Sequence, residues 1–337
     1  MEINVIRKEA DDESLMRHYS VYDGFIFTEV TQPSNVYDAI LIKNPEDAPC
    51  SCPELPNSQR TLQEHIDLIN KYHLEKARII AKNIDFITEC PSLKYIKITP
   101  SDDAGNNFDY SPLYRTPQIK SLSCATLYGK KFNFTTSVDY SKIKGLECIS
   151  MSGAGHKNYN TIEGIKTLRI SQYKDSDLTN MFCSSVLDSL MIITSKIKTL
   201  NGIQKSQNMQ CLALYYNRSL SDISALSKVK QTLKELRIEN CFKIQDFSVL
   251  AELENLEFLE LRGNNVLPSL DFIKSMKKLK TLVFDVNILD GDLSPCKNIP
   301  FARCIKNRKH YNLKDNDLPK GEFVYGNEDI ELWRRNK

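Results

Sequence analysis

The stretch LEFLELRGNN (256–265) decides the fold. Leucines stand at 256, 259 and 261, with Asn264 three positions further on. Taken alone, the segment fits either an amphipathic helix or one rung of a repeat. The rest of the chain separates the two. LKELRIENC places Leu233, Leu236, Ile238 and Cys241 at the same offsets. LKTLVFDVN places Leu279, Leu282, Phe284 and Asn287 there, and MQCLALYYN gives Met209, Leu212, Leu214 and Asn217. The first positions 209, 233, 256 and 279 are 24, 23 and 23 residues apart. A helix does not recur at this interval with an Asn or Cys fixed to each copy, so the stretch is a rung.

The pattern has a physical reason. Each coil contributes a short strand whose alternate residues, here Leu259 and Leu261, point inward. The chain then turns, and Asn264 is expected to hydrogen-bond backbone groups that lack a strand partner. Cys241 takes that place in one rung. An apolar stretch such as IQDFSVLAELENL (244–256) packs the back of the coil. No coil buries its apolar face alone, so stability comes from stacked neighbours.

Weaker copies extend toward the N-terminus: Leu187/Leu190/Ile192, Ile165/Leu168/Ile170, Leu146/Ile149/Met151, Ile119/Leu122/Cys124, Leu93/Ile96/Ile98 and Leu74/Ala77/Ile79. A last copy is Ile299/Ala302/Cys304. About ten coils therefore run from residue 74 to 305. None of the early copies keeps Asn at the turn, and the sequence offers no account of how those turns are satisfied. Spacings vary from 19 to 27 residues, which places inserted loops at 100–107 and 127–137.

The segments NIDFITECPSLKYI (83–96), NRSLSDISALSKV (217–229) and KIQDFSVLAELENL (243–256) resemble the internalin-like and phosphatase-regulator-like class of leucine-rich-repeat proteins. In that class I-x-D-[IF]-x-x-L follows the Asn turn. The match covers about two thirds of the chain and is specific for architecture, since such proteins share a shape and not a chemistry. The resemblance implies an α/β fold: a curved leucine-rich-repeat solenoid with a parallel β-sheet on the concave face, and a protein partner bound there. It also implies a departure from secreted internalins, because no signal or wall-anchor pattern is present.

Residues 1–73 are not repeats. GFIFTEV (24–30) and YDAILIK (37–43) read as strands, and TLQEHIDLINKYH (61–73) as a helix with Thr61 as N-cap and Leu62, Ile66 and Ile69 as its apolar stripe. Two readings stand: a small N-terminal α+β cap shielding the first coil, or a separate recognition module. Residues 306–337 read as a C-terminal cap. The basic cluster of the tail from Ala302 (Arg303, Lys306, Arg308, Lys309, His310) reads as a solvated cap, and Trp333 is expected to pack on the last coil.

Charge is nearly balanced, with 45 basic and 43 acidic residues, which argues against nucleic acid as a partner. No segment approaches the roughly 20 apolar residues needed to cross a bilayer. The N-terminus lacks the apolar core of an export signal. Ten cysteines without such a signal read as reduced thiols, which places the chain in the cytoplasm. The lone C-x-C at Cys50 and Cys52 has no second pair near it, and the five histidines show no ligand pairing. No metal, cofactor or catalytic constellation is expected. SMSGAGH (150–156) lacks the phosphate-loop pattern and reads as a coil turn. Cys124 should be core, while Cys148 and Cys211 occupy outward strand positions.

In L1-x-x3-L4-x5-L6-x7, positions 3, 5 and 7 face outward and form columns across the strands. The expected partner contacts are Tyr95, Lys97, Arg169, Met191, Tyr215, Tyr216, Glu235, Arg237, Phe258, Glu260, Arg262 and Asp285. A competing reading pairs Arg237 and Arg262 with Glu235, Glu239 and Glu260 across neighbouring rungs. The functional expectation is a non-catalytic scaffold that binds one protein, in the manner of an immunity-type inhibitor of a toxin. The alternative is an adaptor or host-directed effector that uses the repeats for targeting. Oligomeric state is left open.

Overall fold

The computed structural model describes residues 19–22, 25–28, 39–43, 61–101, 104, 108–124, 138–152, 156–181 and 184–323. The loops expected at 100–107 and 127–137 fall mostly or wholly outside these residues, as do Cys50, Cys52 and Trp333. The described residues form two compact units, one up to Tyr159 and one from Asn160 onward.

The first unit opens with strands β1 (Tyr19–Tyr22), β2 (Phe25–Thr28) and β3 (Ala39–Lys43), the first two pairs antiparallel. Helix α1 (Leu62–Tyr72) follows. Thr61 caps it as expected: the Glu64 amide donates to its hydroxyl, and the Thr61 amide donates to the Glu64 carboxylate at 2.7 Å. This reciprocal arrangement satisfies two otherwise orphaned donors. Ile66 and Ile69 are buried, and so is His65. Then come β4 (Lys76–Ala81), β5 (Tyr95–Pro100), β6 (Ser121–Cys124) and β7 (Cys148–Ser152), all parallel. Their register stacks Ala77, Ile96, Leu122 and Ile149 in one column. Strand β3 pairs in parallel with β4, so the sheet continues into the segment ahead of Leu74. Ser150 lies within β7 and not on a coil turn: alternation along the strand, not the small-residue run, governs this stretch.

The second unit holds β8 (Thr167–Ser171), β9 (Ser189–Ile193), β10 (Cys211–Tyr215), β11 (Glu235–Glu239), β12 (Phe258–Arg262), β13 (Val266–Leu267), β14 (Thr281–Phe284), β15 (Asn287–Ile288) and β16 (Phe301–Cys304). The long strands pair in parallel in order, placing Leu168, Leu190, Leu212, Leu236, Leu259, Leu282 and Ala302 in one buried column. Each such leucine contributes about 1.5–3 kcal/mol on burial. Strands β13 and β15 form a separate short parallel pair.

Over the later coils the back of the coil is a short 3-10 helix. Ile223 and Leu226, Phe247 and Leu250, Leu270 and Ile273, and Leu293 and Cys296 are three apart and buried. In each pair the later amide donates to the earlier carbonyl at 3.0–3.1 Å. Three residues per turn puts both members on one face, which is why this short helix suits the back of a narrow coil. An Asp-x-Ser sequence starts several of them. The Ser224 and Ser248 amides donate to Asp222 and Asp246 at 2.8 Å, and Ser294 to Asp292 at 2.9 Å.

The turns leaving β8 to β12 are built on one conformational column. Gln172, Thr194, Tyr216 and Asn240 are left-handed, with φ of 57°, 48°, 54° and 54°, and Gly263 follows with φ 115°. The amides of Gln172, Thr194, Tyr216 and Asn240 donate to the carbonyls of Ile193, Tyr215, Glu239 and Arg262 in the next coil, at 2.9–3.0 Å. Only glycine reaches φ 115° readily, and a Cβ on Gly263 would meet Asn240 Oδ1 at 2.9 Å. Thr194 is the most strained member, because it is β-branched. Replacing the exposed Thr194 with glycine is expected to raise stability by about 1 kcal/mol, the relief of strain outweighing the entropy of glycine. Urea denaturation measures this, and a lower midpoint would contradict it.

The residue after this column carries the internal ladder. In the middle coils it is Tyr173, Ser195, Asn217 and Cys241. The Ser195 amide donates to Asn217 Oδ1 at 2.9 Å, and Asn217 Nδ2 donates to the Ile192 carbonyl at 2.9 Å. One coil earlier, Ser195 Oγ accepts from the Tyr173 amide at 3.0 Å and donates to Ile193. This answers the question of a turn without Asn: a buried serine does the same work. Cys241 Sγ lies 3.5 Å from the Leu214 carbonyl. In the next coil the expected residue was Asn264, but it is exposed. Asn265 is buried instead and donates to the Cys241 and Ile244 carbonyls at 3.0 and 2.9 Å. The turn around Gly263 is one residue longer there. Asn287 does not take the ladder role either: Tyr311 closes that coil, its hydroxyl donating to Val286 O and accepting from the Ile288 amide, both at 3.1 Å.

The tail seals the last strand. Ala302 donates to the Pro319 carbonyl and Gly321 to the Pro300 carbonyl, both at 3.0 Å. Phe301 and Lys320 form an antiparallel bridge. A Cβ on Gly321 would stand 2.7 Å from the Pro300 carbonyl, so the close approach requires glycine.

In the first unit, His156 packs against Tyr140 with ring centroids 5.6 Å apart. Burial lowers its pKa from 6.5 to about 4. A histidine whose folded pKa is depressed contributes no penalty above pH 6.5. It destabilises progressively between pH 6.5 and 4, where the unfolded chain takes the proton and the folded chain does not. The expected loss is up to ~3 kcal/mol across that window. His156→Asn should flatten the acid limb of stability against pH. Unchanged pH dependence in the variant would assign the effect elsewhere.

Candidate protein-interaction surface

The outward strand positions of the first unit include Tyr95 and Lys97, both half-buried on β5. Around them lies a charge column at the strand entrances: Lys94 pairs with Glu75, and Lys120 with Glu147 at 2.8 Å. Ser121 and Ser152 on the same sheet are buried.

The second unit carries the remaining candidates. Arg169, Met191, Ala213, Arg237, Glu260, Val283 and Arg303 stand in one central column. Over β8–β10 this face is open. Arg169 is exposed, and Met191, Cys211 and Tyr215 are half-buried beside the small Ala213. The open stretch is thus an uncharged floor with a single guanidinium at one end.

Over β11 and β12 the face is already occupied by its own contacts. Arg237 lies 2.9 Å from Glu260, and the two side chains are only 9% and 12% exposed. The Arg237 guanidinium also sits over the Phe258 ring, 4.4 Å from its centroid. Arg262 reaches Glu239 at 3.5 Å and Glu260 at 3.8 Å. Burial holds the Glu260 carboxyl above its ordinary range, against the pull of both arginines. Asp285, beyond the end of β14, accepts from the Gly263 amide at 2.5 Å. These pairs follow the cross-rung reading of the sequence. Glu235 is half-buried beside them.

Two expected contact residues sit elsewhere than the pattern suggested. Phe258 is 2% exposed, covered by Phe323 from the tail, with ring centroids 6.4 Å apart. Phe323 packs more closely on Phe301, at 4.9 Å, and Lys320 lies over the Phe301 ring. Position 3 of a repeat is outward by register, but nothing in the repeat itself shows that a later segment folds over it. Tyr216 is not on the sheet: it follows β10 at the left-handed corner, 44% exposed, and its hydroxyl donates to Glu239 at 3.2 Å.

Cys124 is core, as expected, and Cys148 is buried as well. Burial pushes the thiols of Cys90, Cys124 and Cys296 up to about 12, so they are poor nucleophiles. The described cysteines are all free thiols.

Parallel strands at one per coil, a leucine column behind them, a polar ladder at the middle exits and short 3-10 helices at the back of the later coils admit one description. Both units have the leucine-rich-repeat fold. No protein-family model matches this leucine-rich-repeat chain, and no curated protein matches it. Among solved structures it is similar to an internalin (inlF) from Listeria monocytogenes, at 14% identity and a TM-score of 0.48, over 77% of this chain and 76% of the other. An internalin C2 from the same species is 24% identical with a TM-score of 0.42, over 50% and 74% of the two chains. The mouse RP105/MD-1 complex matches at 15% identity and a TM-score of 0.47, over 68% and 45%.

Proposed function

We propose that this chain is a non-catalytic scaffold that binds one protein through the open strand face of β8–β10. The observation that carries the reading is the contrast within one sheet. Arg169 and Met191 present exposed surface on adjacent strands, whereas the charges and aromatics of β11 and β12 are turned to one another. An Arg and a Tyr around an apolar floor are the usual anchors of a protein contact. Free, buried cysteines support residence in a reducing cytoplasm.

Within this role we favour an immunity-type inhibitor that sequesters a toxin made by the same cell. Tagged chain drawn from its native cells should then recover one dominant stoichiometric protein. Arg169→Glu combined with Met191→Glu should abolish that recovery while leaving thermal unfolding unchanged. Recovery of no protein, or equal recovery by the double variant, would overturn the assignment of this face.

A further inference from the structure

The open strand face carries its charge in a fixed order. Its strands are in register, with Arg169 opposite Met191, Met191 opposite Ala213 and Ala213 opposite Arg237. Arg169 is the one charge at an outward position of β8; it is exposed and makes no ion pair among the described residues. The outward positions of β9 and β10 hold no charge: Ser189 and Ala213 are short and buried, and Met191 and Tyr215 stand half-buried. At the other end the sign reverses. Glu235, Glu239 and Glu260 face outward on β11 and β12 against two guanidinium groups, Arg237 and Arg262. Arg237 is committed to Glu260 at 2.9 Å, and Arg262 lies 3.5 Å from Glu239. Carboxylates are therefore in excess there, and Glu235, half-buried opposite Cys211, borders the uncharged floor. Neighbouring strands stand ~4.8 Å apart, so the cation on β8 and the acidic edge on β11 are ~14 Å apart.

We propose that the partner segment on this face is charge-ordered: an aspartate or glutamate over Arg169, apolar side chains over β9 and β10, and a lysine or arginine against the acidic edge at Glu235. This rests on the strand-face reading above and gives it a partner chemistry. Opposite charges at the two ends decide which way round the segment lies, because the reversed one would set like charges together at both. The floor between offers no charge to compensate a polar side chain, so apolar groups gain most by covering it. A nucleic acid does not fit the same arrangement: one cation neutralises too little backbone, and the carboxylates of β11 repel it. The ends are separated by more than the ~8 Å Debye length of physiological salt, so they act independently and the effects of changing each should add.

The test is selection followed by charge exchange. A phage library of random 16-residue peptides, panned against the full chain, should enrich sequences with an acidic residue at one end, a basic residue at the other and an apolar run between. A fluorescein-labelled peptide of the enriched sequence should bind Arg169→Glu about tenfold more weakly by anisotropy. The same peptide with its acidic residue changed to lysine should recover that affinity on Arg169→Glu. Glu235→Lys should weaken the original peptide in the same way and be rescued by a glutamate at the basic end. Glu235→Gln gives a smaller loss and serves where the reversal disturbs folding, which urea unfolding reports. The double variant Arg169→Glu/Met191→Glu separates the two levels of the argument. A peptide that binds it undiminished lies elsewhere and overturns the strand-face reading together with this one. A peptide lost on it, yet indifferent to both charge exchanges, overturns the charge order alone. Enrichment of no peptide, or of sequences without the acidic residue, also overturns the charge order and leaves the recovery experiment above to judge the face.

Discussion

Replacing Asn217 with alanine lowers stability by about 3 kcal/mol, the amount expected when two buried backbone groups lose their partner. Asn217 is fully buried. It accepts from the Ser195 amide and donates to the Ile192 carbonyl, each at 2.9 Å. Alanine removes both bonds and leaves no path for water to a site inside the stack. Asn217→Ser should recover part of the loss, since Ser195 holds the neighbouring turn with a hydroxyl. Equilibrium unfolding in urea gives the values. A loss below about 1 kcal/mol would mean that the ladder matters less than apolar stacking in this unit.

Arg237→Ala is expected to cost about 3 kcal/mol, the lower end for breaking one side of a buried pair. The charge left behind on Glu260 sets the cost: its side chain is 12% exposed and keeps only Arg262, at 3.8 Å. Replacing both partners, Arg237→Met with Glu260→Leu, should bring stability back to within ~1 kcal/mol of the parent chain, because the desolvation cost disappears with the charges. If the double variant were as unstable as Arg237→Ala, packing of the guanidinium on Phe258 would be the larger contribution.

The inward half of the fold was legible because leucine spacing and strand period are tied by geometry. Leu212, Leu236, Leu259 and Leu282 fall in one register as the offsets require. The helix at 62–72 was legible from its cap and stripe. The turns were only half legible. A polar residue at the ladder position can be Asn, Ser or Cys, and a turn one residue longer moves the role from Asn264 to Asn265 without altering the leucine pattern. The surface was least legible. Outward residues carry no period of their own, so the tail that covers Phe258 and the pairing of Arg237 with Glu260 depend on contacts between distant segments.

The antiparallel bridge between Phe301 and Lys320 has a consequence for how the protein behaves in a crowded solution. A repeat that extends by adding parallel strands offers, at its final rung, a template onto which any similar molecule could add. Reversing the chain direction at residues 319–321 puts an antiparallel segment there, and Pro319 has no N–H to offer a further strand. A parallel strand arriving at this rung meets the wrong polarity, because the molecule's own residues 319–321 already stand against it.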